Sequence, residues 1–382
     1  MHGQVDNASP DTGQRSPATA MVWDLPLRLF HWSMVGVVAI AAVTGYVAPE
    51  WWLDIHVYAG YAIGFLLAFR LVWGVFGSHY SKFSTFPLKP RAALAHLFSV
   101  LRARPKVYTG HNPVGAWVIV ALLSLLALVV LSGLVVLGGQ ENLGPLAAMT
   151  NFQIGSFTAE IHETLSGLLV GLISIHLLGI FVEVRIFRHP LLKAMISGGK
   201  AVGPDDPGKK QPGLLRGAVL FSLVVAALLF MGLKLNAQPP LGWRNIQVPP
   251  FYKSECGDCH DPYHPSLETA PEWRSVMANL ENHFGEDASL DEETRLRITA
   301  YLSKNDAFSF DTEAANEIGR VETVSKRMTD TPYWKKRHRG IAAAVFRKQS
   351  VGSKVNCEGC HSDAATGRFD DARIHLPEGN RK

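Results

Sequence analysis

The chain has 382 residues, of which 47% are hydrophobic and 18% charged, and its mean hydropathy is +0.10. That balance is too apolar for an ordinary soluble protein and calls for membrane-spanning segments. The formal net charge of +4 is small and gathers in particular connections, so it does not point to nucleic acid.

Taken in chain order, residues 1–20 are polar and lack the apolar core of a cleavable signal peptide, which predicts a disordered tail. Five apolar runs follow, at 27–47, 56–76, 114–137, 161–181 and 215–235. Each approaches the roughly 20 residues a helix needs to cross a bilayer. The connection after the second run carries Lys82, Lys89, Arg91, Arg102, Arg104 and Lys106, and the one after the fourth carries Arg188, Lys193, Lys200, Lys209 and Lys210. The other two connections, 48–55 and 138–160, contain Glu50, Asp54, Glu141 and Glu160 but no lysine or arginine. Positive charge stays on the cytoplasmic side. The N-terminus is therefore expected inside, and everything after residue 235 outside, in the periplasm of a Gram-negative bacterium.

The expected organisation is a cytoplasmic tail (1–20), a four-helix membrane domain (21–200), a cytoplasmic Gly/Pro linker (201–213), a fifth spanning helix (214–235), a Pro-rich periplasmic hinge (236–250) and an outer domain (251–382). The fold class is all-α.

The outer domain contains Cys256-Gly257-Asp258-Cys259-His260 and Cys357-Glu358-Gly359-Cys360-His361, which use all four cysteines of the chain. C-x-x-C-H is the pattern of covalent c-type haem attachment. Two thiols can form thioethers to one porphyrin, and the next imidazole then sits under the iron. A Cys2His2 zinc site needs a different histidine spacing. Two covalent haems are expected, held by Cys256 and Cys259 and by Cys357 and Cys360, with His260 and His361 as iron ligands. Covalent haem attachment in bacteria is extracytoplasmic, which agrees with the orientation read from charge alone.

Ligating side chains at membrane depth are costly and are functional candidates. His31 lies near the inner start of the first run and His56 opens the second at its outer end. His162 and His176 share the fourth run, 14 residues apart. That spacing gives roughly 21 Å along a helix and returns to within about 40° of the same face. Depth pairs His56 with His162 around an outer b-type haem, and His31 with His176 around an inner one. Gly60, Gly64, Gly167, Gly171 and Gly179 flank these ligands and either admit a flat macrocycle or serve small-residue helix packing. Arg28, Arg70 and Arg185 lie at inner ends, as propionate partners or as positive-inside anchors.

The opening Val22-Trp23-Asp24-Leu25-Pro26-Leu27-Arg28-Leu29-Phe30-His31-Trp32, with Thr44-Gly45, resembles bacterial cytochrome b561 and hydrogenase-type cytochrome b subunits. His56 with Gly60, and His162 with His176, match the remaining ligand positions of that family. The resemblance covers about residues 21–200. It implies a four-helix core with two b haems and electron exchange with a membrane quinone near the inner haem.

The outer part resembles dihaem cytochrome c in the stretch 255–260, in Asn282-His283-Phe284-Gly285-Glu286, in Thr331-Pro332-Tyr333-Trp334 with His338, and in Val351-Gly352-Ser353 before Cys357. That family implies histidine on both sides of each iron. The available sixth ligands are His264, Met277, His283, Met328, His338 and His375. His283 is expected for the first haem and His338 for the second, while His264 stands too near His260 to reach the opposite porphyrin face.

Together these readings describe a tetrahaem electron conduit between the quinone pool and a soluble periplasmic haem protein or cytochrome. It would act as a quinol:cytochrome oxidoreductase or as a simple carrier. Asp24, Glu163 and Glu183 are candidate proton acceptors. The alternatives are an anchor and relay subunit of a larger respiratory complex, or a docking module for a small soluble haem protein.

Overall fold

The computed structural model describes residues 19–104, 106–201, 214–321 and 327–377. Most of the expected tail (1–20) and linker (201–213) therefore lies outside the described residues. Among the described residues the architecture is all-α apart from one two-stranded ribbon.

Five long helices carry the apolar runs: α1 (Leu25–Tyr46), α2 (Leu53–Phe76), α4 (Pro113–Gly139), α5 (Phe152–Phe181) and α7 (Leu214–Asn236). All five are long and apolar enough to cross a membrane. Large apolar side chains such as Leu29, Val43, Leu131, Phe157, Leu177 and Leu228 point outward on them. A surface of that kind is costly in water and matched by lipid. Helix α3 (Pro90–Leu101) lies in the connection between α2 and α4, and α6 (Leu191–Ser197) follows α5.

Helix α5 starts at Phe152 rather than at residue 161, because two side chains satisfy its free amides. Asn151 Oδ1 accepts from the Ile154 amide at 2.8 Å, and Asp311 Oδ2 accepts from the Phe152 amide at 2.8 Å. Its other end continues into a π-helical turn, Val182–Ile186.

By its internal contacts the chain forms two compact units. Among the described residues, one unit takes in 19–35, 66–124 without 105, 169–201 and 214–223; the other takes in 36–65, 125–168, 224–321 and 327–377. Helices α1, α2, α4, α5 and α7 each contribute a stretch to both.

In the first unit, buried Asp24 caps α1 through the Leu27 amide at 2.8 Å and also accepts from Trp73 Nε1 at 3.0 Å and Ser81 Oγ at 2.8 Å. Three donors satisfy a carboxylate that would otherwise be costly to bury. Strand β1 (Thr19–Met21) pairs antiparallel with β2 (Gly199–Ala201). The preceding Gly198, at φ 84°, accepts at its carbonyl from the Val22 and Trp23 amides at 2.9 and 3.1 Å. A Cβ there would stand 2.6 Å from the Trp23 carbonyl oxygen, so only glycine closes this corner.

The second unit contains the C-terminal domain. Its helices are α8 (Pro250–Cys256), α9 (Ala270–Met277), α10 (Glu292–Lys304), α11 (Pro332–His338) and α12 (Ala343–Phe346). Thr269 and Glu272 form a capping box on α9, and Asp291 caps α10 through the Thr294 amide at 3.0 Å. Trp273 and Met277 of α9 pack with Ile298 and Leu302 of α10 and with Tyr252 of α8 to make the core.

The stretch expected as a hinge is anchored. The Leu241 amide donates to the Ala147 carbonyl at 2.8 Å, Trp243 Nε1 donates to the Thr366 carbonyl at 3.3 Å, and the Asp311 amide donates to the Gly242 carbonyl at 2.7 Å.

Candidate functional site

Three pairs of imidazoles face each other at nearly one separation. Ring centroids are 6.3 Å apart for His56 and His162, 6.4 Å for His260 and His283, and 6.1 Å for His338 and His361. Two metal–nitrogen bonds of about 2 Å, with each ring centre roughly 1.1 Å behind its nitrogen, place the two centres roughly 6 Å apart. Each pair therefore leaves the room that one iron between two imidazoles requires. All six rings are half-buried.

Hydrogen bonds fix which nitrogen is free. His56 Nδ1 lies 3.1 Å from the Ala41 carbonyl oxygen, His260 Nδ1 2.8 Å from that of Asp261, and His338 Nδ1 2.9 Å from that of Trp334. A carbonyl only accepts, so each Nδ1 carries the proton and Nε2 keeps its lone pair. At His162 the partner is Ser132 Oγ at 2.9 Å, which itself donates to the Val129 carbonyl at 3.0 Å and so accepts from the ring. Ligating histidines are oriented in this way in metal sites generally.

Local geometry presents these rings. His56 stands in the first turns of α2 and faces α1, where Gly45 leaves room for it; a Cβ at Gly45 would lie 3.0 Å from its Cε1. A Cβ at Gly133 on α4 would likewise lie 3.1 Å from Cε1 of His162. Thr44 Oγ1 adds a contact to His56 Nδ1 at 3.1 Å. A tight turn carries His283, with Phe284 at φ 57° and Gly285 at φ 107°, closed by the Gly285 amide donating to Asn282 Oδ1 at 3.1 Å. His338 ends α11 stacked on Trp334 at 4.2 Å and 13°. His31 and His176 both belong to the first unit.

Glycines on the helices that carry the membrane histidines leave their surroundings uncrowded. Gly60, Gly167, Gly171 and Gly179 each face open space, and Gly64 meets only Val130 Cγ1 at 3.5 Å. An open cleft lies beside the His338/His361 pair and is lined by both histidines together with Cys357 and Cys360. All four thiols are free; Cys259 is exposed and the other three are half-buried. Burial pushes the Cys256 thiol up to about 11 and the Cys357 thiol up to about 12.

Buried cationic nitrogens also lack protein partners. Arg70 is 2% exposed with its guanidinium 4.3 Å over Phe83, and its Nη1 is unpartnered. Arg28 donates from Nη1 to the Ile196 carbonyl while its Nε stays unpartnered. Both are suited to an anionic group such as a propionate.

The remaining candidates are placed elsewhere. His264 is 1% exposed, hydrogen-bonded to Ser266 Oγ at 2.8 Å, and held down to about 4 by burial. Met277 belongs to the α9 core, and Met328 lines the second cleft. Asp24 is occupied by its three donors, and Glu163 is exposed. Glu183, in the π-helical turn, meets His189 Nδ1 at 2.6 Å and Asn112 Nδ2 at 3.5 Å. His189 enters only beside Glu183, and Ser132 and Gly133 only beside His162. Their one legible signal is a hydroxyl–glycine dipeptide, Thr44-Gly45 on α1 and Ser132-Gly133 on α4, opposite each ring.

Such paired, oriented imidazoles beside C-x-x-C-H motifs define a haem electron-transfer protein, and comparison with known proteins agrees. Residues 22–198 match the prokaryotic cytochrome b561 family and residues 252–369 the dihaem cytochrome c family. The chain thus carries a cytochrome b561 segment in its membrane part and a dihaem cytochrome c segment in its C-terminal part, and is a multi-pass membrane protein of b-type and c-type haems. It is 26% identical over 144 residues to a probable Ni/Fe-hydrogenase B-type cytochrome subunit of Cupriavidus necator, and 28% identical over 124 residues to one of Azotobacter vinelandii. These matches take up 32% and 26% of this chain and span 59% and 52% of those relatives. A dihaem cytochrome c of Rhodobacter sphaeroides is 36% identical, over 33% of this chain and 100% of that one, with a TM-score of 0.29. A dihaem cytochrome c of Shewanella baltica is 33% identical, over 35% of this chain and 98% of that one, with a TM-score of 0.28.

Proposed function

We propose that this chain is a membrane-anchored electron-transfer protein with two b-type and two c-type haems, carrying electrons between the quinone pool and a soluble partner outside the cell membrane. The observation that carries the reading is the common 6.1–6.4 Å separation of three imidazole pairs. His31 and His176 would hold the inner b-type group, His56 and His162 the outer one. Cys256, Cys259, His260 and His283 would hold the first c-type group, and Cys357, Cys360, His361 and His338 the second. When bound, each haem supplies a reversible one-electron change at its iron.

The protein's part is to fix the rings, exclude water and manage protons. Carbonyl and hydroxyl acceptors at Nδ1 make His56, His162, His260 and His338 stronger ligands through Nε2. Arg28 and Arg70 supply positive charge to propionates. Glu183 accepts the proton released when a quinol is oxidised, and His189 steadies its carboxylate. Lysine and arginine crowd the connections after α2 and α5 and are absent between α1 and α2, which supports a cytoplasmic N-terminus and a periplasmic C-terminal domain.

Likeness to hydrogenase cytochrome subunits favours a second reading, a relay subunit within a larger respiratory complex. Purified protein mixed with a quinol decides between them. Reduction of its haems by the quinol alone supports the first, and Glu183→Gln should slow that reduction about tenfold or more. Reduction that occurs only with a co-purifying subunit supports the second and ends the first.

A further inference from the structure

The cleft around His338 and His361 is walled in part by residues from outside the C-terminal domain: Glu50 and Trp51 line it alongside Cys357 and Cys360. These two residues belong to the short turn Glu50–Trp52 that leads into α2, and that turn packs on Asp371–Arg373. Arg337 ties them together. Its Nη1 lies 3.2 Å from Glu50 Oε1, and its Nη2 pairs with Asp371. The connection between α4 and α5 adds a second attachment. Arg368 Nη2 donates to the carbonyls of Glu141 and Asn142 at 3.0 and 3.2 Å, and the Asp371 amide reaches Glu141 Oε2 at 3.5 Å.

The chain distances are short. Glu50 precedes His56 by six residues along helical backbone, about 9 Å. Arg337 adjoins His338 in α11. A single ion pair therefore joins the element bearing one imidazole of the His56/His162 pair to the element bearing one imidazole of the His338/His361 pair. Trp51, with its large π-system, lies in the wall of the second cleft. The first attachment site is different in character. Its Cys259 is exposed, and Phe284, next to His283, is 43% exposed.

We infer that the second attachment site, Cys357 to His361, is the end of the C-terminal domain that exchanges electrons with the membrane part through Glu50 and Trp51, and that the first, Cys256 to His260, is the end open to a soluble partner. The inference rests on the electron-transfer reading above. The step moves one electron and makes or breaks no bond. In the outward direction the haem that His56 and His162 would hold would give up one electron, and the haem that His338 and His361 would hold would take it up. The first site then receives that electron from the second.

The test uses the full-length protein in detergent, with variants Cys357→Ala/Cys360→Ala, Cys256→Ala/Cys259→Ala and Trp51→Gly. After rapid reduction of the b centres, loss of the second site should leave the first oxidised, whereas loss of the first should leave reduction of the second unchanged. Transfer from b to first-site c at the wild-type rate in the Cys357→Ala/Cys360→Ala variant overturns the order. Equilibrium redox titration with EPR gives a readout independent of turnover. Trp51→Gly opens the wall of the second cleft, so it should shift the potential and EPR signal of one c centre, identified as the second by its loss in Cys357→Ala/Cys360→Ala protein or, if that protein does not fold, in His338→Met protein. A shift confined to the first centre, or no shift at all, also overturns the inference. Absence of b-to-c transfer in the unmodified protein would instead remove the underlying reading.

Discussion

His56 on α2 and His162 on α5 face each other with ring centroids 6.3 Å apart and planes 82° apart, each ring pinned at Nδ1 and each overlooking a glycine on a neighbouring helix. Replacing His162 by Ala should remove one b-type haem and leave both covalent haems in place. Pyridine haemochrome spectra would show the b content halved at constant c content, and loss of c absorbance instead would contradict the pairing.

Gly45 and Gly133 give a sharper test of the same site. A Cβ at either would already stand 3.0–3.1 Å from an imidazole carbon, so a branched side chain must displace the ring. Gly45→Val and Gly133→Val should each lower occupancy of the outer b site several-fold. Gly232→Val, on α7 where nothing lies within 4 Å, should leave the spectrum unchanged.

Asp24 holds the first unit together through donors from three separate segments. Asp24→Ala leaves the Leu27 amide, Trp73 Nε1 and Ser81 Oγ without their acceptor, at a cost of about 3 kcal/mol. Thermal unfolding followed by the visible spectrum should show the inner b signal lost at lower temperature than in the unmodified protein. An unchanged transition would mean that water replaces the carboxylate at no cost.

His264 makes stability depend on pH. Burial holds its imidazole down to about 4, so between about 6.5 and 4 the folded protein keeps the ring neutral while the unfolded chain protonates it. The unfolded state then binds more protons, and stability rises with pH across this window. Acidification from pH 6.5 to 4 should cost the C-terminal domain about 3 kcal/mol from this residue alone. Melting curves of His264→Gln protein should show a flatter acid limb, and an equally steep limb would assign the loss to other groups.

Much of this protein is written in local patterns. The five apolar runs, the two C-x-x-C-H motifs and the lysine-poor connections are legible because lipid thickness, thioether spacing and charge asymmetry each impose a rule on consecutive residues. Even the pairing of His56 with His162 follows from depth along helices of fixed rise. The start of α5 at Phe152 was hidden, since its cap acceptor Asp311 lies 159 residues away. Ser132 and Gly133 beside His162, and Arg337 between Glu50 and Asp371, were hidden for the same reason. The C-x-x-C-H residues and the four membrane histidines follow local rules, so they stand out from the sequence as candidates. Which hydroxyl orients each ring, and which cleft Glu50 and Trp51 wall, depend on atoms brought together from distant parts of the chain, and only the tertiary structure decides that.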